Sequence, residues 1–480
     1  MVRPARSARD EDRVRCVLAH SIRRRTEEVA PQTRTAALAD HDEVDVAHLS
    51  GMARLPAMSH RIEWVRALEI LDSRGRPTLQ VTLGLAGGAT GQAGVPSGAS
   101  TGTREAVERR DGDPERFGGA GVQRAVMTVE GEIADAVTGR PWRSLADLDR
   151  ALIDLDGTRN KERLGANAIV GVSMAAARAM AAAEGRPLYE WLAPAGMAAR
   201  LPVPHFNVIN GGAHAENRLA FQEFMVAPVG APSFREALRA GAETYAALRH
   251  RLKEGGHATG LGDEGGFAPE IDQPEEALDL LVEAIGAAGY EPGRDSVAIA
   301  LDQAANGFRA GDGTYEVGEA RLTSPEMIER YREIVERYPV WSIEDGLAEE
   351  DRDGWVRLTE ELGDRIQLVG DDILVTNPAI IRDAISQGIG NATLIKLNQI
   401  GTVTETLEAI EVCKAGGFAQ MISHRSGETC DPFIADLAVA VGCGEIKSGA
   451  PARGERLAKY NRLLEIEIDL GGAPYGLASG

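Results

Sequence analysis

Three short apolar runs in this chain end in acid. "VAIALD" closes on Asp302, "VWSIED" on Glu344 and Asp345, and "IQLVGDD" on Asp371 and Asp372. The next three carry the opposite charge: "TLIKLN" holds Lys396, "MISHRSG" holds His424, Arg425 and Ser426, and "GEIKSG" holds Lys447. Carboxylates gathered at one rim repel one another strongly where water is excluded. A hard divalent cation with oxygen ligands relieves that repulsion, and the lack of a Cys-His set favours magnesium or manganese over zinc. One such Asp would read first as the N-cap of the helix that follows. Three in succession favour a metal, with Asp345 and Asp372 as capping or supporting members. The basic runs suit a substrate with several negative charges, and Arg425 beside Ser426 suits an oxyanion such as phosphate, which a guanidinium fork meets with paired donors.

Lys396 lies in the middle of "ATLIKLNQIG". Strand alternation puts it on one face with Leu394 and Asn398, pointing into a barrel, while Ile395 and Leu397 face outward. Burial and neighbouring cations both disfavour the ammonium form, the route to a lysine that acts as a base near neutral pH. A buried ion pair with a nearby carboxylate is the competing reading. Upstream, "TGLGDEGGFAPEID" supplies Asp263 and Glu264, and "NGGAHAENRLAFQEFM" supplies His214, Gln222 and Glu223. Taken singly, each of these reads as a solvated or capping residue.

The elements that must position these groups repeat. Each run is followed by a helical stretch, with starts at Ser324-Pro325 and Asn377-Pro378. This is the βα repeat of a barrel, whose strand C-terminal ends carry the working residues. The opening departs from the repeat. "PVPHFNVING" and "LAFQEFMVAP" both precede the helical "SFREALRAGAETYAALRHRLKEG" and "QPEEALDLLVEAIGAAGY", which predicts ββαα rather than βαβα. Before the barrel, residues 61–81 alternate around the turn "DSRGRPT", and the Gly/Ser-rich "GVPSGASTGTREA" reads as a mobile loop. Helical "LADLDRALIDLDG" and "ANAIVGVSMAAARAMAAAEG" follow, the second with Gly185 where a C-cap belongs. Strands then helices make a small α+β domain. The expected division is a leader over 1–57, a capping domain over 58–197 and a catalytic barrel over 198–480.

Composition narrows the partners. A formal net charge of −21 over 480 residues repels nucleic acid and acidic membrane surfaces. The cysteines Cys16, Cys413, Cys430 and Cys443 show no CxxC spacing, which favours a reducing cytoplasm over a disulfide framework. No apolar run approaches the ~20 residues of a membrane span. The Arg-rich first 57 residues lack the apolar core of a secretory signal, and their acidic residues count against a transit peptide. A solvated leader, or translation starting at Met58, are the two readings of that segment.

The motifs "EILDSRGRPT", "VPSGASTG", "NVINGGAHAEN", "QEFMVAP", "GDEGGFAP", "SIEDGLAEED", "LVGDD", "LIKLNQIGTVTET", "SHRSGET" and "GEIKSGAPARGERLAKYN", in this order from about Ile62 onward, resemble those of the enolase (phosphopyruvate hydratase) family. The resemblance implies an irregular ββαα(βα)6 TIM-type barrel with an N-terminal α+β capping domain, two Mg2+ ions per active site, and the reversible dehydration of 2-phosphoglycerate to phosphoenolpyruvate. It implies Asp302, Glu344 and Asp371 as ligands of the first metal and Ser100, in "SGASTG", as a ligand helping to hold the second. Lys396 is then the base that takes the C2 proton and Glu264 the acid that helps the C3 hydroxyl leave. His214, Gln222, Glu223, His424, Arg425, Ser426 and Lys447 position the substrate, with Arg425 and Ser426 on its phosphate. A homodimer or a ring of dimers is implied as well.

The chain departs from the family pattern in places. Asn306-Gly307 stands where Ser-Glu is usual, Gly346 where Pro follows "SIED", and Cys430 where an acidic residue follows "SGET". Gln92 and Gly94 replace an Arg and a small apolar residue. None of these is a residue with an implied chemical role. Together they leave room for a specialised paralogue acting on a related phospho- or phosphono-carboxylate, like carboxyphosphonoenolpyruvate synthase, and for a non-catalytic scaffold role.

Overall fold

A computed structural model of the chain describes residues 60–98 and 102–477. The expected leader and the expected metal ligand Ser100 lie outside the described residues. The described residues begin with a four-stranded antiparallel sheet, β1 (His60–Leu71), β2 (Pro77–Leu85), β3 (Thr90–Gly94) and β4 (Pro141–Trp142), in the order β3-β2-β1-β4. The β1–β2 turn is made by Asp72, whose Oδ1 accepts the backbone N–H groups of Arg74 at 2.8 Å and Arg76 at 2.9 Å.

The helix Ala166–Ala183 packs across β2 and β3. It crosses so closely that a Cβ on Gly91 would fall 2.0 Å from the carbonyl of Ala175, so only glycine fits there. By length and hydropathy this helix would also pass as a membrane span, but 83% of it is buried inside the fold. It is the core of the small domain. Gly185, at φ +66, provides the left-handed residue just past its end, as expected.

The barrel opens with β5 (Val203–Asn210) and β6 (Glu223–Ala227), then the helices Phe234–Glu254 and Pro274–Ala287. After β7 (Ala298–Asp302), a hairpin of β8 (Tyr315–Val317) and β9 (Ala320–Leu322) leads into the helix Ser324–Arg337. The remaining strands are β10 (Val340–Glu344), β11 (Gln367–Gly370), β12 (Ala392–Ile395), β13 (Ala419–Ser423) and β14 (Gly444–Lys447). They close in the order β10-β11-β12-β13-β14-β5-β6-β7. Only β6 runs antiparallel to its neighbours, which is the ββαα opening read from the sequence. The helix starts are built as the sequence suggests: Thr323 and Glu326 form a capping box around Pro325, and the Asn377 side chain accepts from the first-turn amides before Ile381.

Alternation along β12 sorts its side chains. Leu394 joins Val369, Ala392 and Met421 in a small apolar cluster, whereas Ile395 and Leu397 join the larger core under the helices. The strand stops at Ile395, and Lys396 precedes the single helical turn Leu397–Ile400. Asn398 therefore sits on that turn and not on the strand face expected for it. The small domain is tied to the barrel at a buried seam. Asp149 of the helix Leu145–Asp156 accepts from the Thr404 amide at 3.0 Å and its hydroxyl at 2.6 Å, and Lys161 pairs with Glu405 at 2.9 Å.

Candidate active site

The parallel register of β7, β10 and β11 lines up the acidic tips. Glu344 pairs with Asp302 on one side and with Val369 on the other, so Asp371 emerges two residues further along the same rim. Lys447, at the tip of β14, spans the first two carboxylates: its Nζ donates to Asp302 Oδ2 at 2.9 Å and to both oxygens of Glu344 at 2.9 and 3.0 Å. It also lies 3.3 Å from Glu223. Burial works against this ammonium, but Asp302, Glu223 and Glu344 hold its pKa well above the usual lysine range. Gln222 reaches Asp302 Oδ2 at 3.5 Å.

Asp371 is engaged on both oxygens. Lys396 Nζ donates to Oδ2, and Gln399 Nε2 donates to Oδ1 at 2.8 Å. Asp345 takes a left-handed backbone conformation, φ 44, and its carboxylate accepts the amides of Asp371 and Asp372, each at 2.9 Å. Strain of this kind is characteristic of functional sites, and here it locks the β11 tip in place. Among the described residues, two groups of three offer ligand atoms mutually within 4.8 Å: Asp345, Asp371 and Asp372, and His214, Glu223 and Glu264. Of the expected set, Asp302 and Glu344 accept from Lys447 and Asp371 accepts from Lys396.

Charge at this rim is out of balance. Burial, then the neighbouring carboxylates, push Glu344 and Asp345 well above the usual carboxylate range. Asp372 is pushed up to about 7, mainly by burial and by Asp371. All the donors are oxygens, and they carry more negative charge than Lys396 and Lys447 neutralise. Such a site fits a hard divalent cation.

The sequence-level reading of Lys396 needs one correction. Burial does lower its pKa, but Asp371 and Glu344 outweigh that effect, and the amine sits above the ordinary lysine value. The ion pair offered as the competing reading is present, and the side chain points into the barrel as expected.

Glu264 stands between Asn207 of β5 and His424, which follows β13. Asn207 Nδ2 donates to its Oε2 at 3.0 Å, and His424 Nε2 lies 3.2 Å from the same oxygen. His214 bridges it to Glu223, with Nε2 3.8 Å from Glu264 and Nδ1 3.5 Å from Glu223. Burial pushes Glu223 well above the usual carboxylate range, with Glu264 adding to the effect. Burial also lowers both imidazoles, His424 to about 3. Arg425 has its fork on Glu105, at 2.9 and 3.2 Å, with Asn398 Oδ1 at 3.0 Å. Ser426 is buried beside it.

Three participants were not foreseen: Asn207, Gln399 and Glu105. Glu105 lies inside the "TGTREA" segment, which was read only as a loop. Asn306, at a departure from the family pattern, donates to Asp372 Oδ2 at 2.8 Å and accepts the Glu349 amide at 2.9 Å. No heavy atom lies within 4 Å of where a Gly307 Cβ would be, so the lost side chain leaves open space and no altered packing.

A barrel with one antiparallel strand, a carboxylate-lined mouth and two inward lysines at its strand C-terminal ends is built as a barrel enzyme. The enolase C-terminal TIM barrel domain matches residues 198–476, and the enolase N-terminal domain matches residues 62–192. The chain is 58% identical over 420 residues to Enolase 1 of Methylococcus capsulatus, an alignment covering 87% of this chain and 99% of that one. It is 58% identical to the enolase of Rubrobacter xylanophilus (85% and 95% covered) and 56% identical to that of Methanopyrus kandleri (86% and 97% covered). This chain belongs to the enolase family, the phosphopyruvate hydratases of glycolysis.

Proposed function

We propose that the chain dehydrates 2-phosphoglycerate reversibly to phosphoenolpyruvate with Lys396 as base and Glu264 as acid. The observation that carries this assignment is their separation around the barrel. β12, whose last residue Ile395 precedes Lys396, lies three strands from β5 in the closed ring. The Glu264 loop pairs onto β5 through Phe267 and Ile209. Amine and carboxyl thus come from different segments of the ring, in keeping with an elimination on opposite faces of the substrate.

Asp302, Glu344 and Asp371 would hold one Mg2+, and Ser100 would help hold a second. When bound, such ions would supply the positive charge that makes a C–H bond beside the substrate carboxylate acidic enough to break. Lys396 accepts the C2 proton at Nζ. This requires the neutral amine, which Asp371 opposes while burial, Arg425 and Lys447 favour it. Burial raises the Glu264 pKa, but His424, His214 and Arg456 outweigh it and hold the carboxyl well below the usual range. As acid, Glu264 must therefore take up a proton before giving it to the departing C3 hydroxyl, with Oε1 the oxygen not facing Asn207 and His424. His214, Gln222, Glu223, His424 and Lys447 orient the substrate, and Arg425 with Ser426 takes its phosphate, competing with Glu105 for the guanidinium fork.

We further assign residues 58–197 to the capping domain and 198–480 to the barrel, and place the enzyme in the cytoplasm as a homodimer or a ring of dimers. Light scattering on the purified protein tests the assembly. The activity is tested by following phosphoenolpyruvate absorbance from 2-phosphoglycerate with Mg2+. Rapid turnover is expected. Feeble turnover from an intact fold would favour a paralogue acting on a related phospho- or phosphono-carboxylate.

A further inference from the structure

Arg456 is completely buried, lies outside every strand tip, and belongs to the first turn of the helix Gly454–Leu470. Its guanidinium is directed at the active-site loops. Nη1 bonds to His424 Nδ1 at 2.6 Å and to the Arg425 carbonyl at 2.7 Å. Nη2 donates to the Ser426 carbonyl at 2.6 Å and the Asp263 carbonyl at 3.3 Å. Nη2 also donates to Ser73 Oγ at 3.4 Å, so the terminal nitrogens meet five partners from three segments far apart in sequence. One is the β1–β2 turn, one carries the proposed acid Glu264, and one carries His424, Arg425 and Ser426.

This arrangement decides the state of His424. A guanidinium has donors only and does not lose its proton in proteins. His424 Nδ1 must therefore be the accepting nitrogen, and the neutral ring carries its hydrogen on Nε2. That nitrogen faces Glu264 Oε2 at 3.2 Å. With Asn207 on the same oxygen, Oε1, which has His214 Nε2 at 3.8 Å, is the oxygen left for a reacting hydroxyl.

We propose that Arg456 is a positioning residue for the dehydration step: it sets the His424 tautomer and clips the two loops together, so that Glu264 presents Oε1 to the leaving group. The inference rests on the reading of Glu264 as the acid. It separates the two halves of the reaction, because Lys396 draws its contacts from Asp371 and not from Arg456.

The test compares Arg456→Lys and Arg456→Met with wild type, measuring dehydration alongside exchange of the C2 proton of 2-phosphoglycerate with D2O. Dehydration is expected to fall about 100-fold, in the range for a mispositioned general acid, while exchange continues at the wild-type rate. Loss of both in equal measure, in a variant that remains folded, would overturn the proposal by showing general damage, as would loss of neither. Glu264→Gln, run in parallel, tests the underlying reading separately, since loss of exchange in that variant refutes the acid assignment whatever Arg456 does. If neither arginine variant folds, ¹⁵N-histidine NMR of the wild-type enzyme decides. The His424 signal, assigned by its disappearance in His424→Asn, should show a protonated Nε2 and a bare Nδ1 from pH 6 to 8. A protonated Nδ1 would overturn the proposal.

Discussion

Asp149 holds the seam between the small domain and the barrel, and its charge can be tested alone. It is fully buried, receives the Thr404 amide and hydroxyl, and has its pKa pushed from 3.8 up to about 6, chiefly by burial. A carboxyl whose folded-state pKa is raised stabilises the fold fully below its unfolded value and loses that contribution as pH climbs through the folded value. The rise is roughly two pH units at about 1.4 kcal/mol each, so the wild-type protein should lose up to about 3 kcal/mol between pH 4 and pH 7 through this one side chain. Asp149→Asn keeps an oxygen for Thr404 and never ionises. Relative to wild type it should match or fall slightly below at pH 4.5, and gain stability by up to about 3 kcal/mol at pH 7.5. Urea melts of both proteins at the two pH values measure this. Equal destabilisation of Asp149→Asn at both pH values would refute the reasoning, because it would mean that the carboxylate is ionised throughout and serves as an anionic cap for the helix that begins at Val403.

The remaining predictions concern the barrel mouth. Asp371→Asn should weaken Mg2+ binding by about tenfold or more in calorimetry, and unchanged affinity would remove it from the ligand set. Glu264→Gln should lose about 10²–10⁴ in dehydration while keeping C2 exchange. Glu105→Gln removes the anion that occupies the Arg425 fork, so the KM for 2-phosphoglycerate should fall by about tenfold, the worth of one charge-assisted contact; a raised KM would show that Glu105 assists binding. With His424 already neutral over the working range, the pH profile of kcat/KM should show no inflection from it near 6.5, and His424→Asn should leave the profile's shape unchanged.

The architecture was legible because it is written locally. Short apolar runs ending in Asp302, Glu344 and Asp371, with Pro325 and Pro378 starting the helices that follow, mark the βα repeat of a barrel. The antiparallel β6 showed itself as two strand-like runs before two helical ones. What could not be read was contact between distant segments. Arg456 and Asn207 are ordinary polar residues until the fold sets one against His424 and the other against Glu264. Lys396 shows the same limit in electrostatic form. Its inward direction follows from alternation with Ile395, but its charge state depends on Asp371 being within bonding distance, and that is a property of the closed ring. Glu105 was hidden because a Gly/Ser-rich segment carries no periodicity to say which of its residues touches the barrel.

The central claim, that an inward lysine removes the proton beside the carboxylate, is tested most directly by incubating Lys396→Ala with 2-phosphoglycerate and Mg2+ in D2O and following the C2 signal by proton NMR. The account predicts that deuterium does not enter C2 while the variant remains folded and binds Mg2+. Deuterium entering at the wild-type rate would contradict it and transfer the role of base to another group.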